Sequence, residues 1–133
     1  MAIKSHYDLL PNIYGKELIL DLHNCNPATF NRTALDVFFE ELCSLIDMEK
    51  CDRYFWDDFG LPIEQCQTDP RTTGTSAIQF IKTSNITIHT LDLLKSVYVN
   101  LFSCKNFDAD IATEYINTFF EGNIVNKIII ERK

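Results

Sequence analysis

Residues 76–104 read S-A-I-Q-F-I-K-T-S-N-I-T-I-H-T-L-D-L-L-K-S-V-Y-V-N-L-F-S-C. Three runs, 76–82, 85–91 and 96–104, have the two-residue periodicity of strands. The connection Asp92-Leu93-Leu94-Lys95 closes a hairpin in which Leu91 faces Ser96. In that register His89 faces Tyr98 and Cys104 faces Thr83. A tight turn at Thr83-Ser84 would pair Lys82 with Asn85, and hence Ile78 with His89. Opposed residues share a face and alternate residues keep to it. One face then carries Ala77, Gln79, Ile81, Ile86, Ile88, Val97, Val99 and Leu101, and is expected under helices. The other carries Ser76, Ile78, Phe80, Asn85, Thr87, His89, Tyr98, Asn100, Phe102 and Cys104. A one-residue slip would scramble the two, and the aliphatic row argues against it.

Outward from this core, residues 17–22 (E-L-I-L-D-L) read as a first strand. Asn26 and Pro27 serve as cap and first-turn residue of a helix running to about Asp47. Leu35, Phe38, Phe39, Leu42, Leu45 and Ile46 have the spacing of its buried face. Residues 51–56 form a second strand, and 57–75, with two prolines and two glycines, a long loop. Asp108 caps a second helix to about Phe120, with Ile111, Tyr115, Ile116 and Phe119 inward. Gly122 stands at the expected helix stop, and 124–130 close the chain as a strand. The expectation is one domain over 1–133: an α+β two-layer sandwich, mostly antiparallel, two helices on one face, abbreviated βαβββαβ.

The chain has 133 residues, 46% of them hydrophobic, with 12 Lys and Arg against 19 Asp and Glu, a formal charge of −7. That is a globular composition, long enough to bury a core without staples. The acidic balance argues against nucleic acid, whose phosphates need clustered cations, and suits a small cationic ligand. No run approaches the ~20 apolar residues of a membrane span. The start, residues 1–14, is interrupted by His6, Asp8 and Pro11 and lacks a signal pattern, so a cytoplasmic protein without membrane association is expected. Cys25, Cys43, Cys51, Cys66 and Cys104 include no C-x-x-C pair, so neither a metal site nor a disulfide framework is expected.

Taken singly, a strand histidine, a buried cysteine or a serine at a strand end is an ordinary structural residue. Ser76, His89 and Cys104 draw notice because they share one face and are expected to converge near one strand end. In the loop, Phe55, Trp56 and Phe59 could stack on a ligand, although core packing is the commoner role of such residues. Asp57 and Asp58 could neutralise a cation, where a solvated loop end is the plainer reading.

The run G-T-S-A-I-Q-F-I-K-T-S-N-I-T-I-H-T (74–90) with V-Y-V-N-L-F-S-C (97–104) resembles the bacterial and archaeal S-adenosylmethionine decarboxylases, small pyruvoyl-dependent enzymes. The spacing carries the resemblance: Ser76, then Ser84 after eight residues, His89 after five more, Cys104 after a further fifteen. It implies that the Ser84 hydroxyl attacks the Thr83 carbonyl and that β-elimination cuts the chain. Products would be residues 1–83 and 84–133, the second beginning with a pyruvoyl group derived from Ser84. It further implies a Schiff base between that group and the substrate amine, with Ser76 and His89 assisting processing by hydrogen bonding and proton transfer, and Cys104 returning a proton after CO2 leaves. A homodimer is implied, with sheets face to face and helices outermost (αββα), and a role in polyamine, specifically spermidine, biosynthesis.

Two positions depart from the pattern. Thr83 stands where the family usually has Glu, which keeps open a homologue that is never cut and acts as a binding or partner subunit. Leu93 stands where the family's H-T-W-P-E run has the Glu that holds the substrate ribose; Asp92, adjacent, would point the other way. That second departure admits arginine or ornithine as substrate beside S-adenosylmethionine.

Overall fold

A computed structural model describes residues 12–133; His6, Asp8 and Pro11 lie outside the described residues. Six strands form one sheet: β1 (Gly15–His23), β2 (Lys50–Trp56), β3 (Gly74–Ile81), β4 (Ser84–Leu91), β5 (Ser96–Ser103) and β6 (Asn123–Arg132). Their order is β2-β3-β4-β5-β1-β6, and every pair is antiparallel. Two helices, α1 (Arg32–Leu45) and α2 (Ala109–Phe120), pack against one face. The chain order is therefore βαββββαβ. The six strands agree with the six strand segments read from the sequence, which the abbreviation βαβββαβ undercounts by one.

The aliphatic face is buried as its pattern requires: Gln79, Ile86, Ile88, Val97, Val99 and Leu101 are wholly inaccessible, with Leu18, Leu20 and Leu22 of β1 beside them. Gln79 is the one amide in that layer. β2 and β3 shift register between Lys50 and Arg53, and the Gln79 Nε2 group donates to the Cys51 carbonyl there at 3.0 Å. Arg53 Nε donates back to Gln79 Oε1 at 2.6 Å, so the buried amide is satisfied at both ends.

The helices depart from the sequence reading at their ends. Asn26 and Pro27 open only a 3-10 turn, Pro27–Thr29; the cap of α1 is Asn31, whose side chain accepts from the Ala34 N–H. Leu45 and Ile111 are half exposed rather than inward. Each sits in a terminal turn and borders an open cavity shared with Lys16 and Ile129 of the sheet, and Cys43, Ala109, Ala112 and Phe120 fill the core instead. Asp108 caps α2 as expected. The left-handed residue at its end is Glu121 (φ 53°), not Gly122. Gly122 serves close packing, since a Cβ there would lie 2.6 Å from Cys25 Sγ.

The β4–β5 hairpin has the expected register, Leu91 opposite Ser96 and His89 opposite Tyr98. The β3–β4 turn does not. Its two residues are Lys82 and Thr83, so Ile81 pairs with Ser84, and His89 faces Ser76 instead of Ile78. The shift is two residues, so both face assignments survive it. Among the described residues no helix is long and apolar enough to cross a membrane.

Phe38 anchors the helical layer, its ring 5.0–5.9 Å from those of Phe39, Tyr115, Phe119 and Phe120. Phe38→Ala should lower unfolding stability by about 3–5 kcal/mol in urea titrations, whereas Leu45→Ala should stay within about 1 kcal/mol. Equal losses would contradict the exposure of Leu45.

Candidate active site

The open face of the sheet carries side chains in rows set by the strand register. One row crosses Trp56, Ser76, His89, Tyr98 and Asp21. Within it, Ser76 Oγ lies 2.8 Å from His89 Nδ1. That contact orients the imidazole and leaves its other nitrogen free for proton transfer. A cavity of about 370 Å³ adjoins the pair, lined also by Trp56, Gln67, Arg71 and Leu91.

The second group lies at the far end of the same hairpin. Thr83 is exposed in the turn, and Ser84 begins β4 with its side chain buried. The Cys104 backbone N–H donates to Ser84 Oγ at 3.0 Å, which joins the start of β4 to the residue just past β5. A second cavity of about 370 Å³ opens beside Thr83 and Ser84, walled by Cys51, Phe80, Asn85 and Phe102.

Thus the four residues singled out by spacing form two pairs, Ser76 with His89 and Ser84 with Cys104. They do not converge within one chain. His89 and Ser84 are five residues apart on one extended strand, roughly 16 Å at about 3.3 Å per residue. The β4–β5 oppositions agree with the sequence reading and the β3–β4 ones differ by two residues; distance along β4 is what keeps the two pairs apart.

Cys104 is chemically distinct from the buried cysteines. Burial alone would push its thiol up, but hydrogen bonds from the Thr83 backbone, the Ser84 hydroxyl and the Tyr14 hydroxyl outweigh it and bring the thiol below its ordinary value. Burial pushes Cys25 and Cys43 up to about 11, which leaves them as inert packing residues. Tyr14 was not among the residues picked from the sequence. The only local signal for it is Gly15, the neighbour that lets the chain pass close to Cys104.

The loop residues separate as well. Trp56 is exposed on the open face beside Ser76, where it can stack on a ligand. Phe55 turns to the opposite side and packs against the core. Phe59, 83% exposed, lines a different cavity of about 470 Å³ with Phe30, Arg32, Asp57, Asp58 and Asp92. Asp57 is committed to Arg32, which donates to it at 2.9 and 2.7 Å and holds the carboxyl below its ordinary range. Asp58 accepts from the Gln67 N–H at 2.6 Å. Asp92, in that same cavity, is pushed up by burial and then by the charge of Asp57, away from the row of His89. Leu93 is exposed in the β4–β5 turn.

Residues 16–133 match the family model described as S-adenosylmethionine decarboxylase. No curated protein sequence matches the chain. The crystal structure of the adenosylmethionine decarboxylase from Aquifex aeolicus VF5 superposes with a TM-score of 0.71 at 19% identity, over 90% of this chain and 91% of that one. At such identity the likeness establishes the fold; the family match, which spans nearly the whole chain, establishes the kinship. The chain belongs to the S-adenosylmethionine decarboxylase family.

Proposed function

We propose that this protein is a self-processing, pyruvoyl-dependent decarboxylase of polyamine biosynthesis whose first substrate is S-adenosylmethionine. The observation that carries the reading is the Ser84–Cys104 contact. It sets a hydroxyl nucleophile, the peptide bond it would attack and a proton-donating thiol at one strand end.

The residues fit a pyruvoyl group at position 84. The Ser84 oxygen adjoins the Thr83 carbonyl carbon in the backbone, and the turn carrying that carbonyl is exposed beside a cavity. Transfer of the Thr83 acyl group to the Ser84 oxygen converts amide to ester. Elimination then leaves that oxygen on the Thr83 carboxylate, and water displaces the nitrogen as ammonia. A pyruvoyl group supplies the carbonyl electron sink that no ordinary side chain offers for loss of CO2. Cys104, whose thiol is lowered by neighbouring hydrogen-bond donors, would return the proton. Thr83 in place of Glu leaves both reacting groups, a backbone carbonyl and the Ser84 hydroxyl, intact.

The roughly 16 Å between the two pairs is the reason to expect a homodimer. Phe80, Tyr54, Trp56, Ile128 and Ile130 all leave apolar surface exposed on the open face, more than a free sheet face normally shows. A twofold axis lying between two such faces and crossing the strands near Thr87 would bring the Ser76–His89 pair of one protomer over the Thr83–Ser84 peptide and Cys104 of its partner. Both helical layers then lie outermost.

A second reading rests on Leu93. The carboxylate expected to hold a ribose is missing, and Asp92 is turned into another cavity. The same machinery would then serve arginine or ornithine.

Denaturing mass spectrometry should show residues 1–83 and a second fragment from 84 that is about 17 Da lighter than a seryl start, the mass of lost ammonia. Ser84→Ala should stay in one piece, and an uncut, functioning wild type would refute the proposal. Carbon dioxide release from each of the three substrates separates the two readings, S-adenosylmethionine turnover alone disposing of the second. Ser84→Ala and His89→Ala chains should each be impaired, His89→Ala by about 100-fold or more. Co-expressed, they should recover about a quarter of wild-type activity, because half the dimers are mixed and each mixed dimer regains one of two sites. No recovery would place each site within a single chain.

A further inference from the structure

β1 opens at Gly15, where a Cβ would lie 2.2 Å from the Ser103 carbonyl oxygen and 2.8 Å from Cys104 Cα. Only glycine lets the chain pass so near the end of β5. The preceding residue is pinned by its backbone, the Tyr14 N–H donating to the Arg132 carbonyl at 2.6 Å. Its ring lies against Phe102, with 6.2 Å between centroids and 33° between planes. Phe102 is two residues before Cys104 on the same side of β5, and Gly15 lies against Cys104 Cα, so this packing sets the Tyr14 hydroxyl beside the Cys104 thiol, where the two groups influence each other's titration. Tyr14 remains 52% exposed, so burial does not explain its place.

We propose that Tyr14 is a positioning residue for Cys104: its hydroxyl orients the sulfur and stabilises the thiolate left whenever Cys104 gives up its proton. The catalytic part of this inference rests on the reading of Cys104 as proton donor. Four groups act on the sulfur in the uncut chain: the Thr83 backbone, the Ser84 hydroxyl, the Tyr14 hydroxyl and the backbone of Cys104 itself. Cleavage changes two of them, because the Ser84 oxygen departs as part of the Thr83 carboxylate and the 83–84 bond is broken. The new carboxylate brings a negative charge that opposes thiolate formation. Tyr14 is untouched by the cut and becomes the remaining side-chain donor among the four. Its phenol keeps its own proton in this role, since a neighbouring thiolate pushes the hydroxyl up from its ordinary value.

The test is residue-resolved alkylation by iodoacetamide across pH, read by mass spectrometry. It compares the wild type, Tyr14→Phe, Ser84→Ala and the Ser84→Ala/Tyr14→Phe double variant. Tyr14→Phe keeps the ring on Phe102 and removes only the hydroxyl. It should slow Cys104 alkylation about threefold or more near neutral pH in both backgrounds, with the Cys104 profile displaced to higher pH and that of Cys51 unchanged. Cys25 and Cys43 should stay protected throughout, reporting an intact fold. If the protein turns over substrate, the pH–rate profile of kcat should move in the same direction while KM holds. Coincident Cys104 profiles with and without the Tyr14 hydroxyl, in both backgrounds, would overturn the proposal. A wild type that is never cut, but whose Cys104 profile still depends on Tyr14, would uphold the positioning role and defeat the decarboxylase reading instead.

Discussion

Everything at the site depends on how β4 pairs with its two neighbours. Ile81 opposite Ser84 and Leu91 opposite Ser96 close the two turns, and between them each residue of β4 is assigned a face. What holds this register is burial. Ile86 and Ile88 are wholly inaccessible, each worth about 1.5–3 kcal/mol relative to exposure. A one-residue slip would expose both and drive Asn85, Thr87 and His89 into an apolar layer without partners. The inner face thus supplies the stability that keeps the outer face in order, and the outer face is free to carry polar and titratable groups.

The faces were legible from alternation because a period of two survives errors of two. No Gly, Asn-Gly or Pro marks the turn between β3 and β4, so the sequence does not distinguish a Lys82-Thr83 turn from a Thr83-Ser84 one. The misplaced turn hid the Ser76–His89 pair and left every face assignment intact. Helix ends were harder. Asn26-Pro27 and Asn31 both have cap chemistry, and only packing selects Asn31 for the longer helix. Leu45 satisfies the helical spacing but borders an open cavity, a matter of where the neighbouring layer stops rather than of periodicity. Phe55 and Trp56 show the same limit in the other direction. Adjacent on a strand, they have opposite fates, and alternation assigns Trp56 to the face of Ser76 only once β2 is paired with β3.

Charged groups reinforce the edges of this arrangement. Arg53, mostly buried, donates to Gln79, Asp36 and Glu40 and lies over the Phe39 ring at 5.4 Å. It ties the edge strand β2 to α1 across the register shift, where Gln79 supplies the donor for the Cys51 carbonyl. At the other side of the sheet Glu17 accepts from Asn100 at 2.9 Å and from Arg132 at 2.8 Å, joining β5, β1 and β6 on the open face. Both clusters are worth more as geometry than as Coulomb energy, since their outer members remain hydrated.

The separation of the two residue pairs has a chemical consequence. A proton transfer needs heavy atoms within about 3 Å or one bridging water, and a strand is too stiff to fold back over roughly five residues of its own length. One sheet therefore cannot let His89 serve its own Ser84. In the proposed homodimer, two copies of the same sheet face to face would meet this need without any new residue, because a twofold axis across the strands would exchange their ends. The apolar side chains of the open face, exposed on a lone sheet, would in that arrangement be covered and would exclude water from the two residue pairs. Cys104 fits this account through its surroundings. Buried cysteines in the same chain are pushed toward permanent thiols, while this one, at a strand end rich in donors, is left able to part with its proton.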